Sequence, residues 1–107
     1  MNSMRVCLTT FQKTKEAKTL ASRMLGERLA ACVQMVPKIT SMYEWDGAIQ
    51  TDEECLMIIK TTADKIEGLK SFIAKYHTYE VPELICLKVE DGLPAYLNWV
   101  STTVRGA

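Results

Sequence analysis

Apolar positions along this chain follow two different periods, and the changes between them predict where strands and helices lie. Residues 4–10 are typical of a short strand. Apolar side chains then recur at helical spacing, which predicts a first helix. We expect its buried face to consist of Ala17, Leu20, Ala21, Met24, Leu25 and Leu29. Residues 31–36 predict a second strand that ends at Pro37, because proline has no N–H to donate to a neighbouring strand.

The middle of the chain predicts a hairpin followed by a buried strand. Asp46-Gly47 separates two strand-like segments, residues 39–45 and 48–50, and this dipeptide favours a tight turn in which both central residues have positive φ. Residues 55–60 are almost continuously apolar, which is typical of a strand covered on both faces. We therefore expect residues 55–60 to form a central strand.

The last third of the chain predicts a helix, a strand and another helix. Apolar residues recur at helical spacing between positions 66 and 76, which predicts a second helix. Residues 84–89 are typical of a fourth core strand, and residues 90–92 form a turn signal. A short helix with apolar residues from position 93 onward is then expected to close the chain.

The order of these elements predicts an α+β fold, a ferredoxin-like split βαβ sandwich with an added β-hairpin and a short C-terminal helix. We expect a single domain over residues 1–107. Two right-handed βαβ units would place their helices on one face of the sheet. The other face would then expose the apolar strands 55–60 and 84–89, and apolar patches usually mark interfaces. Self-association is therefore predicted, with the hairpin as an arm that could pair with a neighbouring subunit.

Composition and charge narrow the choice of partners. The chain has 107 residues, of which 48% are hydrophobic, enough for one core. Thirteen basic residues balance thirteen acidic ones without forming a basic stripe, so neither nucleic acid nor a membrane is an expected partner. The four cysteines lack zinc-site spacing, and the first residues lack the apolar run of a leader. We predict a cytoplasmic protein with reduced cysteines.

Candidate chemistry is concentrated in residues 76–83, Tyr-His-Thr-Tyr-Glu-Val-Pro-Glu, which contain the only histidine. An imidazole beside carboxylates can bind a transition metal, so His77 is a candidate metal ligand. The alternative is structural, because an imidazole also suits the negatively polarised end of a helix that finishes near His77. Both interpretations are open at the level of the sequence.

The motifs of common enzymes are missing from the sequence. It contains no nucleophile elbow, glycine-rich phosphate loop or HExxH motif, so we expect no enzymatic activity. Glu80 and Glu83 are separated by Val-Pro in an extended segment and need not face each other as acid and base. Tyr43 and Trp45 share a strand face and either line a ligand cleft or pack an interface. Lys60 either offers a cation to that cleft or is simply solvated.

Four segments carry a resemblance to a known family. Residues 27–33 (ERLAACV), 40–49 (TSMYEWDGAI), 59–61 (IKT) and 76–83 (YHTYEVPE) together resemble the CutA family of divalent-cation tolerance proteins, and the likeness extends from about residue 6 to 99. Residues 96–99 (YLNW) resemble its C-terminal Tyr-Leu-x-Trp pattern. The resemblance implies a ferredoxin-like homotrimer, similar in architecture to PII signalling proteins, that binds copper or other divalent ions.

Two departures from the family bear on copper binding. Thr78 stands where the family usually has proline, which relaxes the backbone after His77. Thr9 stands where some members have cysteine, and Cys7 lies two residues earlier on the same strand face. An imidazole with carboxylates but no thiolate favours weak, unselective binding.

These observations support one leading hypothesis and two alternatives. The leading hypothesis is a trimeric, non-enzymatic protein with His77 as the metal ligand for weakly bound copper or another divalent cation. We expect its intersubunit clefts to be lined by Tyr43, Trp45, Lys60, His77, Tyr79 and Glu83. The first alternative is a PII-like signalling adaptor in which a small ligand in these clefts alters docking of another protein. The second is a stable scaffold whose polar clefts are incidental.

Overall fold

Four strands and three α-helices make up residues 3–106, the part of the chain that the computed structural model describes. In chain order they are β1 (Met4–Phe11), α1 (Thr14–Gly26), β2 (Cys32–Trp45), β3 (Ala48–Thr62), α2 (Ile66–Tyr76), β4 (Ile85–Lys88) and α3 (Pro94–Arg105), with a short 3-10 helix at Ala63–Lys65. The sheet is antiparallel with the order β2-β3-β1-β4. Because β3 lies between β1 and β2, the first βαβ unit is split, as the sequence predicts.

The predicted hairpin is present, but it is longer than expected. Asp46 and Gly47 have φ of 54° and 79°, and the strands on either side pair from Trp45 opposite Ala48. The hairpin is not an added element, because its two strands are the outer halves of β2 and β3. We call these outer halves, residues 39–54, the hairpin arm.

The prediction that the second strand ends at Pro37 is wrong. Strand β2 continues from Cys32 to Trp45, and its register against β3 shifts between Val36 and Ile39. This shift is a β-bulge, and Lys38 within it has a φ of 59°. A bulge on an edge strand accommodates proline, because the residue there owes no hydrogen bond to the ladder.

The main core lies between one face of the sheet and helices α1 and α2. Its fully buried strand residues include Cys7, Phe11, Met57 and Ile59. Helix α1 buries four of the six residues predicted for its apolar face, which are Ala17, Leu20, Ala21 and Met24. Leu25 is 42% exposed, and Leu29 lies beyond the helix, which ends at Gly26.

The opposite face, which we call the open face, is only partly bare. Helix α3 covers one end of it, where Val100 and Val104 pack against Met4 and Ala31. Beyond α3, the open face carries apolar side chains that the subunit leaves accessible, including Ile85 and Leu87, which are 50% and 52% exposed. Their β1 partners are Leu8 and Val6, so these apolar residues form a continuous strip across two strands.

Candidate functional site

A cavity of about 690 Å³ lies between the hairpin arm and the segment that follows α2. We call it the acidic cleft. It is lined by Thr10, Gln12, Tyr43, Trp45, Asp52, Glu53, Glu54, Tyr79, Glu80, Val81 and Glu83. Four of the six residues predicted to share a cleft, Tyr43, Trp45, Tyr79 and Glu83, are therefore brought together within one subunit.

The register between β2 and β3 places Tyr43, an aromatic residue of the cleft, next to a carboxylate. Ser41 lies opposite Asp52 and Tyr43 opposite Gln50, so Tyr43 and Asp52 are diagonal neighbours on one face of the arm. The Tyr43 hydroxyl donates a hydrogen bond to the Asp52 carboxylate, and this bond is the main reason that the pKa of Tyr43 is raised. Trp45 is more than half exposed beside it.

Tyr79 reaches the cleft from the other side, on the segment after α2. Its hydroxyl donates to Glu54 Oε2 at 2.6 Å. Burial, and then the hydrogen bond and charge of Glu54, raise the pKa of Tyr79 above its ordinary value of 10.0. A neutral phenol that donates to a carboxylate fixes the position of that carboxylate at the cleft wall. The arm and the segment after α2 are thus joined across the cleft by one hydrogen bond.

The electrostatic character of the cleft comes from five carboxylates, Asp52, Glu53, Glu54, Glu80 and Glu83. No lysine or arginine is among the described residues that line it. A concave surface with charges of one sign focuses the field and raises the local concentration of ions of the other sign. The cleft is therefore suited to cations and unsuited to anions.

His77 lies outside the lining of this cleft and is engaged at both ring nitrogens. Its Nε2 is 2.7 Å from the carbonyl oxygen of Thr10, and the backbone N–H of Tyr79 donates to Nδ1 at 3.1 Å. These partners assign the proton to Nε2. The ring also stacks on Phe11, with centroids 4.2 Å apart and an angle of 11° between the planes. His77 thus fastens the segment after α2 to β1, and the predicted helix end at this residue is confirmed.

A metal ion could bind His77 only after one of these hydrogen bonds broke. Within residues 3–106, no three histidine, cysteine, aspartate or glutamate side chains are grouped in a way that could hold a metal ion. In this hydrogen-bonded state the imidazole cannot act as a copper ligand, because neither ring nitrogen has a free lone pair. The metal-binding role of His77 stays a prediction.

Lys60 lies far from the acidic cleft of its own subunit. It is opposite Val6 and Cys32 in the sheet, and its Nζ is 5.5 Å from the centre of the Tyr96 ring on α3. Lys60 is six positions beyond Glu54 in β3, which corresponds to about 20 Å along a strand. Only a second copy of the chain could bring Lys60 to the cleft.

The two family departures occupy different surroundings. Thr78 is exposed, and its hydroxyl donates to Glu16 Oε1 on α1 at 3.1 Å. Thr9 is fully buried, and its Oγ1 has no hydrogen-bond partner among the described residues. Both side chains are polar and neutral, so neither supplies a soft metal ligand.

Asp52, Glu53 and Glu54 contribute to the cleft although they are not among the site residues predicted from the sequence. The sequence does contain a signal, because three consecutive acidic residues, 52–54, come one residue after the predicted second hairpin strand. Their proximity to Tyr43 and Tyr79 depends on strand register and on the path of the chain after α2. Neither of these follows from local spacing.

The split βαβ sheet and the acidic cleft together define a small α+β protein with a surface site suited to cations. Residues 5–103 match the family described as CutA1 divalent ion tolerance protein, so the chain belongs to that family. The family description names a tolerance to ions and no reaction. No helix among the described residues has the length and apolar character needed to cross a membrane.

Individual relatives agree with this assignment. The chain is 46% identical to Protein CutA of Mus musculus over 98 residues, which are 92% of this chain and 55% of that protein. It therefore spans about half the length of the mammalian relatives that it matches. It is 40% identical to the divalent-cation tolerance protein CutA of Thermus thermophilus over 95 residues, which are 89% of this chain and 92% of that protein.

The fold also agrees with solved structures. The crystal structure of CutA1 from Oryza sativa superimposes with a TM-score of 0.94 at 38% sequence identity, covering 99% of this chain and 97% of that one. The divalent cation tolerance protein from Thermus thermophilus gives a TM-score of 0.90 at 38% identity, covering 94% and 97%. The α+β architecture is thus confirmed as that of CutA1 structures.

Proposed function

We propose that this protein contributes to divalent-cation tolerance by binding divalent cations weakly at the acidic cleft. The observation that carries the proposal is the set of five carboxylates around one cavity with no basic residue in its described lining. Membership of a divalent ion tolerance family supports the same ligand class. Carboxylate oxygens suit hard divalent cations. Because no three potential ligands within residues 3–106 are grouped closely enough to hold one ion, a bound cation would keep much of its water, and binding would be weak.

Copper is the narrower prediction, and it makes a separate demand on the site. Copper prefers imidazole or thiolate ligands to carboxylates alone. Recruitment of His77 would require its ring to release the Tyr79 amide or the Thr10 carbonyl. We therefore propose carboxylate binding with little selectivity as the first mode, and copper at His77 as a mode that needs rearrangement.

We also propose that the protein functions as a homotrimer. The apolar strip on the open face supports self-association, because Ile85 and Leu87 are half exposed in the isolated subunit. Tyr96 and Trp99 on α3 extend the accessible apolar surface. The side chains of Tyr43 and Asp52 in the cleft lie on the same side of the sheet as the open face. A neighbouring subunit that packs on the open face would therefore contact the rim of the cleft. In such an assembly Lys60 of one copy could approach the cleft of another.

The alternative of a PII-like adaptor that binds a small ligand is less well supported, at least for an anion such as a nucleotide. Its ligand would need several basic groups in one cleft, and the lining of the acidic cleft has the opposite charge. The scaffold alternative predicts no cation binding at all.

The cytoplasmic location stays a prediction.

The proposal is tested by neutralising three of the five cleft carboxylates while preserving hydrogen bonding. The triple variant Asp52→Asn, Glu53→Gln and Glu54→Gln keeps a carbonyl acceptor at each position. A matched control neutralises three exposed carboxylates elsewhere, Glu27→Gln, Glu67→Gln and Glu90→Gln. Both variants change the net charge equally, so they separate a cleft effect from a general one.

The measurement is a titration with Mn²⁺, followed by calorimetry, and with Cu²⁺, followed by native mass spectrometry that also counts subunits. We expect the cleft variant to lose roughly tenfold or more in Mn²⁺ affinity, because a cleft with only two of its five carboxylates concentrates cations far less. The control should match the original protein. Equal affinity in all three proteins would reject the acidic cleft as the cation site.

A further inference from the structure

Two cysteines that have no role in the proposed function face each other on adjacent strands. Cys7 in β1 lies directly opposite Cys86 in β4, and their sulfur atoms are 2.8 Å apart. Cys7 is completely buried in the core beneath the helices, whereas Cys86 is exposed on the edge of the sheet. The pair thus joins a protected thiol to an accessible one.

Residue pairs along an antiparallel ladder alternate between hydrogen-bonded pairs and more closely spaced pairs without hydrogen bonds. Cys7 and Cys86 form a pair of the second, closer kind. The N–H of Val89 donates to the carbonyl oxygen of Met4 at 3.2 Å, which makes these two residues a hydrogen-bonded pair in the same register. Counting three residues along each strand makes Cys7 and Cys86 a non-hydrogen-bonded pair, whose Cα atoms are typically about 4.5 Å apart. Disulfides span Cα distances of roughly 4.4 to 6.8 Å, so no strand would have to move far.

We propose that Cys7 and Cys86 form a redox-active dithiol that low-molecular-weight disulfides oxidise to a cross-strand disulfide. The Cys86 thiolate attacks one sulfur of the oxidant, so a mixed disulfide forms at Cys86 and one thiol leaves. Cys7 then gives up its proton and attacks the Cys86 sulfur, which closes the disulfide and releases the second thiol. Two electrons pass from the two cysteine sulfurs to the oxidant, and the two thiol protons end on the released thiols.

The surroundings of the two sulfur atoms determine which one reacts first with the oxidant. The exposed Cys86 is the sulfur that an oxidant in solution can reach. Burial, followed by the contact with Cys86, raises the pKa of the Cys7 thiol. A buried neutral thiol reacts slowly with external reagents, but its partner sulfur is already in contact. Cys7 is therefore the resolving cysteine.

The other two cysteines provide internal controls. Cys32 lies opposite Lys60, and Cys55 lies opposite Phe11, so neither faces another cysteine across a strand. They should stay reduced under conditions that oxidise the pair. Strand β4 is a four-residue edge strand whose one neighbour among residues 3–106 is β1, so the disulfide would link this edge covalently to an inner strand of the sheet.

The test exposes the folded 107-residue chain to oxidised glutathione and maps its disulfides by mass spectrometry after acid quenching. We expect a linked peptide containing Cys7 and Cys86, with the whole chain lighter by two hydrogen atoms. The Cys7→Ala variant should instead accumulate a stable glutathione adduct at Cys86. The Cys86→Ser variant should stay unmodified at Cys7, and Cys32→Ser should behave like the original protein.

Three results would overturn the proposal, and all can be read from the original chain without relying on a variant that fails to fold. One is a chain that stays fully reduced in the folded state. Another is a linkage that involves Cys32 or Cys55. The third is a glutathione adduct at Cys86 that never closes onto Cys7.

Discussion

Replacement of His77 by alanine separates a structural imidazole from a metal ligand. The substitution removes the bond from Nε2 to the Thr10 carbonyl, the bond from the Tyr79 amide to Nδ1 and the stack on Phe11. A hydrogen bond contributes about 0.5 to 1.5 kcal/mol net, and a stacked ring pair a similar amount. We therefore expect His77→Ala to lower the free energy of unfolding by about 2 to 4 kcal/mol.

Two further substitutions divide this loss between the nitrogens. The side chain introduced by His77→Asn is too short to reach Thr10, but its carbonyl oxygen can accept a hydrogen bond from the Tyr79 amide. The longer amide introduced by His77→Gln can still donate to the Thr10 carbonyl. Each should recover about 1 kcal/mol of the loss seen with alanine, the ordinary value of one hydrogen bond.

The assay is urea unfolding in the presence of a chelator, at one protein concentration because self-association would shift the midpoint. A parallel Cu²⁺ titration at low urea uses the same proteins. We expect His77→Ala to reduce stability and to change Cu²⁺ affinity by less than about threefold, since both ring nitrogens of the imidazole are bonded to backbone groups. Unchanged stability together with lost copper affinity would refute it and support the metal-ligand role.

Two other predictions concern the cleft and the open face. Because the pKa of Tyr79 is raised in the folded protein, the unfolded chain loses its tyrosine proton first, and stability should fall as the pH rises above the ordinary value of 10.0. Tyr79→Phe should flatten that decline in alkaline unfolding experiments, and an identical slope would contradict the raised pKa. Leu87→Lys should reduce the assembly mass measured by light scattering without changing the circular dichroism spectrum, because it charges the apolar strip. Lys88→Gln, on the other face of β4, is the control, and an unchanged mass for Leu87→Lys would argue against an interface there.

Features that depend on neighbouring residues could be predicted from the sequence. The turn at Asp46-Gly47 is an example, because the positive φ that it requires is a property of those two residues. The apolar run at residues 55–60 likewise indicated an inner strand, and β3 pairs on both sides. The end of helix α1 is harder to predict from the sequence, since the chain after Gly26 turns through Arg28 with a φ of 58°.

Features that depend on distant pairing could not be predicted in the same way. His77 bonds to a carbonyl that is 67 residues away in the chain, so its local acidic neighbours gave no sign of this partner. The acidic cleft shows the same limit. Its aromatic residues were recognised, but the bond from Tyr79 to Glu54 spans 25 residues and depends on how the segment after α2 returns to the sheet.

The bulge in β2 decides which side chains the hairpin arm presents to the cleft. Between Val36 and Ile39 the chain of β2 advances three positions, while its partner β3 advances only two, from Leu56 to Glu54. This surplus residue reverses the phase of the in–out alternation, since side chains alternate with a period of two. A regular strand through the same segment would direct Met42 and Glu44 toward the cleft side in place of Tyr43 and Trp45. The side chains that the arm presents to the cleft are therefore determined in part by one extra residue at the base of the arm, several positions before Tyr43 and Trp45.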